Sequence, residues 1–193
     1  MAFPVPEWLR PLARLVRHAS VRHDALHELR RRLRGEPPLP EGAVRRVLVV
    51  CHGNVCRSPF GEVLLAVLRP ELDVRSAGLH AADGSPADPS AMRCAERMGV
   101  SLAEHRSRKV DAELLSWADL VLVMQGAHVA EIARAWPDSR ARVRLLGDFL
   151  PHAPFGLPDP WGEDDAVFDS VFTRVRMAVE ALAARIESRR GVT

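Results

Sequence analysis

The chain has 193 residues, 47% of them apolar and 27% charged, enough to bury one ordinary core and too short for two enzymes of common size. Its 27 basic and 25 acidic side chains leave a formal charge of +2, which excludes a whole-surface nucleic-acid binder, and no stretch approaches the roughly 18 uninterrupted apolar residues of a membrane span. Three cysteines are too few for a disulfide scaffold and the start lacks a charged-then-apolar leader, so a soluble, cytoplasmic protein is expected.

Residues 1–46 hold ten arginines against five acids, +5, which leaves 17 bases against 20 acids, −3, in the remainder. Within that basic segment Trp8, Leu9, Leu12, Leu15, Val16, Leu26, Leu29 and Leu33 recur at helical spacing, and the Pro- and Gly-rich run from Gly35 to Gly42 ends any helix. Residues 1–43 are therefore expected to be a helical extension and linker, and 44–193 a separate domain.

From Arg46 on, short β-branched runs alternate with amphipathic stretches, the pattern of βαβ units around a parallel sheet. Val47 to Val50 reads as a buried strand, and Phe60, Val63, Leu64, Val67 and Leu68 fall on one helical face. Leu72 to Ser76 predicts a second strand. Asp88-Pro89 predicts a capped helix carrying Ala91, Ala95 and Met98, on whose apolar face Cys94 reads as a small core residue. Leu120 to Met124 is a third strand, a helix follows around Val129 to Ala135, and Val143 to Leu146 is a fourth. A proline-rich loop then leads to a last helix with the stripe Phe168, Phe172, Val175, Val179, Leu182 and Ile186, for which Asp164 or Asp165 provides the cap.

The first strand runs directly into Cys51-His52-Gly53-Asn54-Val55-Cys56-Arg57-Ser58-Pro59. Ligands of open α/β sheets bind at such carboxyl ends. A thiol, a loop with inward N–H groups, a helix amino terminus and an arginine fork form an anion hole, and the same field favours the Cys51 thiolate. Gly53 lets the backbone approach the anion, Asn54 tolerates a left-handed conformation, and Ser58 can donate to the sulfur. Taken without that context, Cys51 and Cys56 could equally be a buried pair or half a metal site.

The loop resembles the C-x-G-N-x-C-R-S-P motif of the low-molecular-weight protein tyrosine phosphatase family, in particular its bacterial branch linked to exopolysaccharide kinases. Ser76-Ala77-Gly78, Pro86-Ala87-Asp88-Pro89, His105-Arg106-Ser107-Arg108, Ala118-Asp119 with the strand after it, Leu145-Leu146-Gly147 and Pro158-Asp159-Pro160-Trp161 continue it across residues 46–189. The resemblance implies a flavodoxin-like, four-stranded parallel sheet with helices on both faces. It implies hydrolysis of phosphotyrosine through a cysteinyl-phosphate intermediate, with Cys51 and Arg57 catalytic and with neither metal nor cofactor.

Expelling an aryl oxide requires a proton, later taken back from water, and Asp159 matches the family acid. Trp161 stands where a tyrosine is commonest and offers a flat wall for a phenyl ring. Gly53, Asn54, Val55, Cys56, Ser58 and Trp161 are expected to contact substrate, and phosphate or sulfate is expected in the loop. Val55 favours an aryl phosphate, since a threonine there marks relatives that resemble protein-arginine phosphatases. Ser76 and His105 resemble the residues that lock the loop asparagine and serine. Gln125 departs from the acidic residue of many relatives.

Arsenate reduction on the same loop would require further cysteines beyond Cys94, and a catalytically idle phosphate-binding scaffold is opposed by the intact Cys51, Arg57 and Asp159. The resemblance implies as partner a phosphotyrosine protein, of the class of a membrane-bound tyrosine autokinase of polysaccharide export, and no nucleic acid. Residues 1–34 are either a docking arm for peripheral membrane contact or a helical pair folded onto the domain with its leucines buried, dispensable for chemistry in both cases. Cys56 either traps an oxidised Cys51 as a disulfide or only packs.

Overall fold

The computed structural model describes residues 19–190, so the apolar repeat over Trp8 to Val16 lies outside the described residues. Strands β1 (Arg46–Cys51), β2 (Asp73–Gly78), β3 (Leu120–Val123) and β4 (Val143–Leu145) form one parallel sheet in the order β2-β1-β3-β4. Helices α1 (Ala19–Arg34), α2 (Arg57–Leu68), α3 (Pro89–Arg97), α4 (Ala112–Trp117), α5 (Gly126–Ala135) and α6 (Asp165–Arg190) surround it. β1 is central, with Val47 to Val50 buried on both faces, which explains a continuous apolar run where a half-exposed strand would alternate.

The chain leaves β1 for β2 on one side and returns to β3 on the other. Because parallel crossovers are right-handed, this reversal puts α2 and α5 on opposite faces and opens a crevice at the carboxyl ends of β1 and β3. One face is closed by α2 packing on α6, with Phe60 and Phe172 stacked at 4.6 Å and Phe168 against Phe172 at 5.9 Å. Each such ring stabilises the fold by about 1.5–3 kcal/mol through burial alone.

Local signals for helix starts are realised as written. Asp88 accepts from the Ser90 and Ala91 N–H groups at 2.8 and 3.1 Å, and Asp164 from Val167 N at 3.0 Å. Two boundaries differ from the sequence reading, and one short helix is absent from it. Leu72 closes a turn onto Arg69 O, and β2 runs on through Ala77 and Gly78, whose packing against β1 outweighs their low strand propensity. α5 starts at Gly126, three residues earlier than its apolar pattern, because its first turn is capped from α1. The six-residue α4, capped by Asp111, is too short to show a period.

α1 lies along α5 and the loop after β4. Asp24, His27 and Arg31 form the stripe facing the domain, whereas Leu26, Leu29 and Leu33 are exposed. The leucines of this helix are therefore not the buried face. The segment after it is anchored by buried Leu39 and Val44, by Arg144 Nε donating to Pro38 O at 2.7 Å, and by a Glu36–Arg185 ion pair.

Candidate active site

β1 delivers Cys51, 2% exposed, to the crevice, and residues 52–56 curl back to start α2 at Arg57. The curl is fixed from the β2 side. Leu79 N and His80 N donate to Cys51 O and His52 O at 3.0 and 2.8 Å, and Asp88 N donates to Val55 O at 2.9 Å. Gly78 is obligatory for this approach, since a Cβ there would lie 2.8 Å from Asn54 N, Gly53 C and His52 O.

Asn54 has φ 54°, the left-handed region, and is fully buried. That strain is held by four contacts. Its Nδ2 donates to Ser58 Oγ at 2.9 Å and Ser76 Oγ at 2.8 Å, its Oδ1 accepts from Arg108 N at 2.9 Å, and its O meets His105 Nε2 at 2.7 Å. Ser76 in turn donates to Glu62 at 2.5 Å. The sulfur of Cys51 sits 3.0 Å from Ser58 Oγ and accepts from Asn54 N at 3.3 Å. Asn54, Ser58, Ser76 and His105 thus lie in one network, which Arg108 joins through its backbone N–H and Glu62 joins without any local signal in the sequence.

Arg57 is 1% exposed. Its Nη1 donates to Leu157 O at 2.9 Å and Gln125 Oε1 at 3.3 Å, and its Nη2 pairs with Asp159 Oδ2 at 2.6 Å. Its Nε is buried with no protein partner, a state that carries a desolvation cost. Leu157 is itself fixed by its N–H on Met124 O at 2.8 Å, so the loop after β4 is stitched to the end of β3. Gln125 was noticed in the sequence as a departure; its contact with Arg57 needed the fold.

Cys51, Gly53, Val55, Cys56, Arg57, Asp159 and Trp161 line one cavity of about 270 Å³, with Trp161 exposed at its rim. His52 also lines it and meets His80 in a tilted ring contact at 4.7 Å, and His80 pairs with Glu131 at 3.1 Å. Burial first, and then the charge of Arg57, push His128 down to about 3, so its imidazole is neutral at ordinary pH. Burial pushes the Cys56 thiol up, with nearby Asp88 adding to it. A buried thiol that accepts from the Asn54 N–H, a desolvated guanidinium and a carboxylate paired to it can together hold a tetrahedral dianion and transfer its central atom.

Comparison with known proteins gives the same answer. Residues 46–191 match the family described as low molecular weight phosphotyrosine protein phosphatase. The chain is 38% identical over 135 residues, 70% of its length and 93% of the relative's, to the low molecular weight protein-tyrosine-phosphatase Ptp of Acinetobacter johnsonii. Its fold is similar to the tyrosine phosphatase Wzb of Escherichia coli K30, solved in complex with sulphate, at 39% identity and TM-score 0.71, covering 74% of this chain and 98% of that one. It is also similar to the YwlE arginine phosphatase of Geobacillus stearothermophilus at 31% identity and TM-score 0.71, covering 76% and 95%. The β1 loop and its sheet are thus those of a known lineage, and the chain belongs to the low molecular weight phosphotyrosine protein phosphatase family.

Proposed function

We propose that the site hydrolyses phosphotyrosine in proteins, with Cys51 as nucleophile, Arg57 as phosphate fork and Asp159 as acid and then base. The observation that carries the reading is the buried, unpartnered Nε of Arg57 in the cavity that Cys51 also lines. Nε and Nη2 present one edge to two phosphoryl oxygens, and binding relieves the desolvation of the guanidinium. A phosphoryl group on that edge competes with Asp159 for Nη2 and turns the carboxyl toward the leaving oxygen.

In the first step the Cys51 thiolate attacks phosphorus, the P–O(aryl) bond breaks, and Asp159 gives its proton to the departing phenolate. In the second, Asp159 takes a proton from water, the oxygen attacks phosphorus, and the P–S bond breaks with its electron pair returning to sulfur. Ser58 donates to that leaving thiolate. Gly53, Asn54, Val55 and Cys56 supply loop N–H groups and rim, and Trp161 supplies a face for the ring.

The apolar Val55 favours an aryl group over a guanidinium, which separates this reading from the arginine phosphatase chemistry of the YwlE relative. The Cys94 thiol, pushed up to about 12 by burial and the Asp169 carboxylate it donates to at 3.0 Å, is a poor relay for arsenate reduction. The same proposal takes a membrane-bound tyrosine autokinase as the partner. It is supported by the exposed leucines of α1 flanked by arginines, a face suited to an anionic surface.

The test is a leaving-group series. Phenyl phosphate and more activated aryl phosphates should turn over and phosphoarginine should lag by at least about a hundredfold. Cys51→Ser should abolish turnover, and Asp159→Asn should cost about 10²- to 10³-fold for phenyl phosphate and far less for acidic phenols. Faster hydrolysis of phosphoarginine, or equal losses across the series, overturns the assignment.

A further inference from the structure

Asp24 lies 102 residues from Gly126 in sequence, yet its Oδ1 accepts from Gly126 N. The approach is close on both sides. A Cβ on Gly126 would lie 2.7 Å from His23 O, and one on Gly156 would lie 3.2 Å from the Asp24 carboxylate, so both positions are small because α1 presses on them. The Gln125 side chain lies near the same carboxylate and pulls its pKa down, while its Oε1 accepts from Arg57 Nη1 at 3.3 Å. The second Nη1 acceptor is Leu157 O at 2.9 Å, next in the chain to Gly156. Asp24 thus stands directly behind both groups that orient the guanidinium.

We infer that Asp24 is a positioning residue: through the Gln125 amide and the Gly156 backbone, the amino-terminal helix sets the Arg57 fork for the phosphoryl group. The inference rests on the phosphatase reading. An amide at 125 suits the role, since it can offer a donor toward Asp24 with one end while it accepts from Arg57 with the other. The carboxylate also completes the amino terminus of α5, where negative charge is stabilised. Burial raises the Asp24 carboxyl from its ordinary value while the Gly126 and Gln125 donors pull against it, which marks a desolvated group held by specific donors.

A helix that merely adds stability would not move phosphate affinity, and that separates the two roles. In the full-length chain, Asp24→Ala should weaken inorganic phosphate binding, read by calorimetry, and lower kcat/KM for phenyl phosphate by about tenfold each. Asp24→Asn, which keeps an acceptor for Gly126 N, should recover most of both. His27→Ala, which removes a 2.7 Å contact to Asp148 elsewhere on the helix, should lower the melting temperature while leaving phosphate affinity within about twofold of the parent. Gly156→Ala crowds the carboxylate without deleting it, should weaken phosphate binding by a smaller factor, and carries the test if Asp24→Ala does not fold. Phosphate affinity within about twofold of the parent in both Asp24→Ala and Gly156→Ala, or equal losses in His27→Ala and Asp24→Ala, overturns the inference. A parent chain that binds phosphate but leaves aryl phosphates intact fails the phosphatase reading instead, and the phosphate arm still reads Asp24.

Discussion

Cys56 is 2% exposed, and burial together with the Asp88, Cys51 and Asp159 charges keeps its thiol protonated at neutral pH. It therefore does not compete as a nucleophile, yet it shares the cavity with Cys51. Peroxide converts the Cys51 thiolate to a sulfenic acid, releasing hydroxide; attack by the Cys56 sulfur then forms a disulfide and releases water, and added dithiol restores both thiols. Dithiol recovery after peroxide should be several-fold lower in Cys56→Ser than in the parent. Because the Cys56 pKa is raised, its thiolate fraction climbs with pH, so the parent's advantage should grow on the alkaline side. Identical recovery in the two proteins removes the protective role. Cys51, Asn54, Arg57 and Ser58 were legible by motif, since they sit at fixed spacings in one loop, and Asp159 by its match to the family acid. The contacts of Glu62, Arg108 and Gln125 were not, because their partners lie 14 to 68 residues away and no spacing encodes such a contact.

Among the elements, β1 is anchored at its start by Asp119 just before β3. Asp119 Oδ2 accepts from the Arg45 and Arg46 N–H groups at 3.0 and 2.9 Å, and Oδ1 pairs with Arg46 Nη2 at 2.7 Å. Partial burial raises its pKa, but the Arg46 side chain and these backbone donors outweigh it and the net shift is downward. A carboxyl with a depressed folded pKa stabilises the protein above its unfolded value, about 4, and loses that contribution as pH falls through the lower folded value. Asp119→Asn should melt a few degrees below the parent at pH 7, with the gap closing as the pH drops below about 4. A gap independent of pH would assign the effect to packing. Element types were readable from periodicity over long segments such as α2 and α6. The start of α5 was not, since its cap comes from another helix.

At the scale of the whole molecule the division between extension and domain is a matter of contacts. Buried Leu39 and Val44, the Glu36–Arg185 pair and the α1 stripe tie residues 24–44 to the rest. A chain starting at Ala43 should melt at least about 5 °C lower and turn over phenyl phosphate more slowly than the full chain. The exposed face of α1 predicts that the full chain, and not the shortened one, binds anionic vesicles in a salt-sensitive way. Unchanged melting and turnover would restore a modular appendage, and vesicle binding by neither chain removes the membrane contact.

By itself the sequence determined the parallel α/β class, the strand that ends in Cys51 and the loop chemistry that follows, because these depend on short-range periodicity and on residues within nine positions of one another. Tertiary structure alone decided which face of α1 is buried. Helical spacing left the leucines either as an exposed docking stripe or as the buried one, and the surface offered by α5 and the loop after β4 is polar, presenting the Gly126 N–H and the buried Asp148. Desolvated polar groups require partners. Asp24, His27 and Arg31 can supply them and leucines cannot, so the helix turned its charged side inward.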